Sequence, residues 1–295
     1  MPSKAISELY TIHALEGHQL LGAYSQYGWH HPGPLLFYCF APFYALTGQS
    51  TLGIDASALF INLLSIALIG WIVGRAEDAS LAFVGALFGL LVVYVMRVPN
   101  LLTSGWNAHT PVLPLLALIV VTASNLAHVR RSLPIAALLA TFVAQSHVGL
   151  AVVACGLMLA IVAALSRTAV TRPNLRYTVG WLAVGTILLL EVLWAAPLAE
   201  QIVNEPGNMT RIWRFLDDAR GQPAMTAWGV WSRMLLGVFT PGFILADGGN
   251  SPAPASLGPL LAATGIVAAL IPTSILHWRR GCGFLSALAA TCFGA

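Results

Sequence analysis

Seven long apolar runs leave this chain few folds to choose from. They occupy 55–74, 79–96, 111–127, 133–146, 148–166, 178–196 and 257–276, and an eighth runs from Gly281 to Ala295. A bilayer core is crossed by about 20 predominantly apolar residues in helical form. In lipid every backbone N–H and C=O needs a partner within the protein, and a helix supplies one inside its own segment. Only 8% of the 295 residues are charged, where a soluble domain carries about a quarter. So few charges cannot cover a water-facing surface. The expected fold class is all-α: a polytopic transmembrane helical bundle, one domain over 1–295, with a partly helical outer loop at 1–54. The net charge of +3 is too small to imply nucleic acid. Cys39, Cys155, Cys282 and Cys292 are scattered with no CxxC pair, which argues against a zinc site and a disulfide framework. The first 33 residues contain no apolar core of the length a signal peptide needs.

Orientation follows from the arginines. Alternating spans put Arg75, Arg130, Arg131, Arg167, Arg172, Arg176, Arg279 and Arg280 on one side. By the positive-inside rule that side is cytoplasmic. The opposite, outer side receives 1–54, the loop 97–110, a turn near His147 and the segment 197–256. The run 133–146 is short, and a break at Gln145, Ser146 and His147 pairs it with 148–166. Segment 34–49, "PLLFYCFAPFYALTGQ", would reverse every later loop if it spanned. It is read as a helix lying in the outer interface, where aromatic side chains sit well.

The outer side collects the residues able to do chemistry. In "YGWHHPGPLLFY" (27–38), Trp29, His30 and His31 precede an apolar helix. The histidines could bond a phosphate, ligate a metal or shuttle a proton. Pro32 and Pro34 favour an extended backbone, which turns adjacent side chains to opposite sides and argues against one metal shared by both. A polar cap on the helix that follows is an equally good reading. Asn107 and His109 precede Pro111 and the next helix, whose N-terminus suits an anion; simple capping by Asn107 or Thr110 competes. His147 lies in a break at membrane depth, a place for function or for a hydrogen-bonded hinge. Arg97 could neutralise a lipid phosphate or snorkel to headgroups. Glu191, the one acid inside a span, is expected to face the bundle interior, since a carboxylate facing lipid is expensive. The sequon "NMT" at 208–210 reads as accidental.

"GAYSQYGWHHPGPLLFY", "SGWNAHTPVLPLLALIVV" and "WAAPLAEQIVNEPGNMTRIWRF" resemble, in this order, outer-loop stretches of bacterial polytopic glycosyltransferases of the GT-C superfamily. "HPGP" resembles the His-Pro-Pro segment of protein mannosyltransferases and aminoarabinose transferases. The similarity covers about residues 3 to 277; each motif is short, and the specificity lies in their order. It implies transfer of a sugar, with inversion, from a polyprenyl-phosphate donor to a glycan, lipid or protein acceptor at the outer face of a bacterial inner membrane. It implies Trp29, His30, His31, Arg97, Asn107, His109, His147 and Glu191 as substrate-binding candidates. The cofactor is left undetermined, a divalent metal being one option, and no residue is assigned as a metal ligand. The family begins its first loop, after a transmembrane helix, with a catalytic Asp. Here Ser3 and Lys4 stand at that place, and the chain reads as a fragment truncated at both ends. Glu8 is the nearest surviving carboxylate and the candidate base, with Glu16 on the same face if one helix carries both; a solvated loop helix is the plainer reading. A transporter or lipid-linked-sugar carrier is the alternative, and an inactive remnant a third.

Overall fold

A computed structural model describes residues 2–75, 100–127 and 132–219. The described residues are helical throughout except for turns and one isolated bridge. In chain order the helices are α1 (Pro2–Leu15), α2 (Leu35–Leu46), α3 (Thr51–Val73), α4 (Val112–Ala127), α5 (Leu133–Ser146), α6 (Val148–Thr171), α7 (Arg176–Val203) and α8 (Asn208–Ala219), with a 3₁₀ turn at Pro173–Leu175 between α6 and α7. Three apolar segments are long enough to cross a membrane: Thr51–Val73, Val148–Thr171 and Pro173–Val203. The expected runs 111–127 and 133–146 become shorter apolar helices of 16 and 14 residues. The runs 79–96, 257–276 and 281–295, the stretch 224–245 and Arg97 lie outside the described residues.

Two buried clusters organise the helices. The larger joins the C-terminal ends of α3 and α4, through Ile72 and Val121, to Leu133 and Ala136 at the start of α5 and to Ile161 and Leu165 near the end of α6. Early α5 thus shares a cluster with late α6, so the two helices form an antiparallel hairpin. His147 is its hinge: its extended backbone (φ −150, ψ 110) interrupts two otherwise regular helices. The expected break is therefore present. The small residues Ala136, Ala137 and Ala140, all buried, let α5 approach its neighbours closely.

The second cluster sits at the hairpin's tip. Leu36, Phe37, Phe40, Ala41 and Tyr44 of α2 meet Ala14 of α1, Ile54 of α3 and Phe142 of α5. Residues 34–49 were expected to lie flat in the membrane interface. They do form a helix, but its aromatic face is buried in protein, because α1, α3 and α5 supply an apolar wall for it. Ser50 caps α3 by accepting the Leu52 N–H at 3.2 Å. Asp55 of α3 holds Lys4 of α1 at 2.8 Å.

Candidate functional site

Trp29, His30, His31, Asn107 and His147 meet at the end of the bundle where α5 stops, α6 begins and α7 runs out. Residues 22–31 fold into a narrow hairpin-like loop. Gly22 N–H donates to His31 O (3.0 Å), His31 N–H to Ala23 O (2.8 Å) and Ser25 N–H to Trp29 O (2.8 Å). Gly28 turns the loop at φ +85, a conformation that costs glycine no steric penalty. The loop then seats on the hairpin hinge. Gly33 N–H donates to Gln145 O at 3.4 Å, and Leu35 N–H donates to Gln145 Oε1 at 3.2 Å. A Cβ on Gly33 would collide with the Gln145 side chain. Gln145 is fully buried and also donates to Leu193 O of α7 at 2.8 Å.

The two adjacent histidines do face opposite ways. His30 packs edge-on against Tyr24 at 5.0 Å. Its Nδ1 lies 3.0 Å from Gly22 O; a carbonyl only accepts, so Nδ1 carries a proton, and in the neutral ring the lone pair is on Nε2. His31 has the reverse tautomer. Its Nδ1 accepts the Val148 N–H at 3.1 Å, which puts any proton of the neutral ring on Nε2. The His31 ring stacks on His147 at 4.8 Å and meets Trp29 edge-on at 5.4 Å. Burial, then the neighbouring His147 and His30, push the His31 pKa down to about 4. Burial lowers His147 and His109 as well. Around this stack Trp29 Nε1, Ser146 Oγ and His147 Nδ1 are buried without a protein hydrogen-bond partner. Buried polar groups are nearly always partnered, so three orphans at one junction need an explanation.

Other expected residues divide between this junction and its surroundings. Asn107 belongs to it, donating to Ser146 O at 3.2 Å. His109 lies in a neighbouring turn, with its Nδ1 3.0 Å from Ser104 Oγ and its ring against Trp106. Thr110 does not cap α4; its hydroxyl donates backward to Ser104 O and Trp106 O. Glu8 accepts the Tyr44 hydroxyl at 2.8 Å, and it sits about 200° around α1 from Tyr10, which approaches His30. The α1 helix ends at Leu15, so Glu16 shares no helical face with Glu8. Among the described residues Glu191 lies on an exposed face of α7. The buried stripe of α7 runs through Thr186, Pro197 and Glu200, and position 191 points about 120° away from Pro197.

Glu200 is the acid that the sequence reading passed over. It is 6% exposed and accepts the Asn208 N–H at 2.9 Å, closing the first turn of α8. Gln201 beside it accepts from Met209 N–H at 2.9 Å and Thr210 N–H at 3.3 Å. These amides have no partner within their own helix. Asn208 in turn clamps the histidine loop: it accepts His30 N–H and donates to His30 O, both at 2.8 Å. A signal existed, since Thr186, Leu193 and Glu200 recur every seven residues on one helix face. The Asn208 side chain of the sequon is buried and committed to His30. No group of three His, Cys, Asp or Glu suited to a metal occurs among the described residues.

No known family, curated protein or solved structure matches this chain. The site must therefore be judged on its own geometry.

Proposed function

We propose that this chain is a membrane glycosyltransferase of GT-C type, moving a sugar from a polyprenyl-phosphate donor to an acceptor at the outer face of a bacterial inner membrane. One observation carries the reading. The "WHHPGP" loop is built into the hinge of the α5–α6 hairpin, where neutral donors, an indole and unpartnered buried polar atoms gather beside an apolar wall. Such a junction suits a ligand that is lipid at one end and polyhydroxylated at the other. The order of the outer-loop motifs supports the same reading.

In the transfer, the bond from the sugar's anomeric carbon to the phosphate oxygen breaks and the polyprenyl phosphate leaves. A bond to the acceptor hydroxyl oxygen forms, and the hydroxyl proton goes to a base. Tautomer logic separates the two histidines. His30 Nε2 keeps a lone pair and is the candidate proton acceptor. His31, held neutral, is a donor suited to a sugar hydroxyl or a phosphate oxygen. Glu8, half-buried under Tyr44, is the second candidate base.

The test is transfer from a labelled polyprenyl-phosphate sugar in membranes containing the chain. Transfer is expected, with His30→Ala lowering the rate by roughly a hundredfold or more, the usual contribution of a general base. Full activity in Glu8→Gln would remove Glu8 from the chemistry. Absence of transfer together with solute uptake into vesicles would replace this reading with a transporter.

A further inference from the structure

At the end of the bundle opposite the histidines, Arg167 stands near the end of α6, Arg172 in the turn that follows and Arg176 at the start of α7, all exposed. Among the described residues none of the three has an acidic partner within ion-pair distance. No Asp or Glu stands in the sequence between Asp78 and Glu191. Next to them Tyr177 and Trp181 are 83% and 77% exposed, and at a spacing of four they share one face of α7.

Helix stability does not explain Arg176. A cation in the first turn opposes the helix dipole, and α7 has no acid there to offset it. Instead, three guanidinium groups with no acidic partner among the described residues form a local positive charge that attracts a phosphate oxygen. Tyr177 and Trp181 are the residue types favoured where a membrane changes from acyl chain to headgroup. At the same end of the bundle Arg75 lies over the Trp71 ring at 4.5 Å, although Glu77 and Asp78 follow it in the sequence.

We propose that Arg167, Arg172 and Arg176, flanked by Tyr177 and Trp181, form a binding site for the headgroup of an anionic phospholipid in the leaflet at this end. The guanidinium groups take the phosphate oxygens, and the rings pack along the glycerol and upper acyl chain. The occupant is a lipid rather than a free anion because the aromatic pair continues directly into the apolar surface of α7, where Val184, Ile187 and Leu188 are exposed.

The experiment reconstitutes the full chain in phosphatidylcholine and measures the relative association of spin-labelled phosphatidylglycerol and phosphatidylcholine. The glycerol lipid is expected to be preferred several-fold at low salt, with the preference shrinking toward unity at high salt. Each arginine near the surface contributes up to roughly fivefold. The triple variant Arg167→Gln, Arg172→Gln, Arg176→Gln is expected to reduce the preference by at least about twofold, while Arg211→Gln with Arg214→Gln, in α8 at the other end, leaves it unchanged. Helix content by circular dichroism confirms folding; if the triple variant misfolds, Arg172→Gln alone is scored by the same criterion. No preference in the wild type overturns the proposal. So does a folded variant that keeps its preference within twofold.

Discussion

The Nδ1 lone pair of His31 accepts the Val148 N–H, so a proton added there breaks that bond and leaves a cation among buried aromatic rings. The unfolded chain has no such constraint and binds the proton near pH 6.5. Because the folded pKa is depressed to about 4, stability is complete above pH 6.5, falls as pH drops toward 4, and levels off below that. The full loss is roughly 3 kcal/mol at 1.36 kcal/mol per unit, and His147 and His109 act in the same direction. Thermal unfolding in detergent across this window should show the decline, and His31→Gln, which keeps an acceptor but cannot be protonated, should flatten it. Asn208→Ala leaves both backbone groups of His30 unpaired. A loss of about 2 kcal/mol is expected, readable as a lower unfolding midpoint. The sequence could not disclose this clamp, since Asn208 and His30 are 178 residues apart and no local pattern records such a pairing.

Among the helices, those specified by their own sequence were legible and those specified by neighbours were not. The break at His147 could be read because polar Gln145, Ser146 and His147 interrupt an apolar run. The burial of α2 could not, because an aromatic helix suits lipid and protein equally, and only the positions of α1, α3 and α5 decide between them. Gly33 shows how tight that docking is. Gly33→Ala should cost about 1–3 kcal/mol by overpacking Gln145, and Gly33→Ala combined with Gln145→Ala should fall short of the sum of the two single losses. The start of α8 depends on α7 through Gln201 and Glu200. Gln201→Ala should accelerate hydrogen exchange at Met209 and Thr210 by roughly fivefold, the effect of losing about 1 kcal/mol of capping, without changing exchange within α5.

Across the whole molecule the two ends of the bundle have different chemistry. One holds neutral histidines, amides and an indole; the other holds arginines. Trp29, His30, His31, Asn107 and His147 meet at one end, while Glu8 and His109 stand apart from it and Arg97 lies outside the described residues. The face of α7 left uncovered by the described residues has a consequence for a membrane packed directly against it. Arg176 and Glu191 are both exposed on α7, and the 15 residues between them rise only about 22 Å, where hydrocarbon is about 30 Å thick. Tilting the helix shortens that projection further. Where lipid packs against this face, a bilayer that leaves both charges in water must thin beside α7, at a cost of a fraction of a kcal/mol for each Å. The wild-type chain should accordingly unfold at higher temperature in vesicles of short-chain lipids than in long-chain ones, and Glu191→Leu should erase that difference. A single carboxylate on one helix face would thereby select the acyl chain length of the membrane in which the protein is most stable.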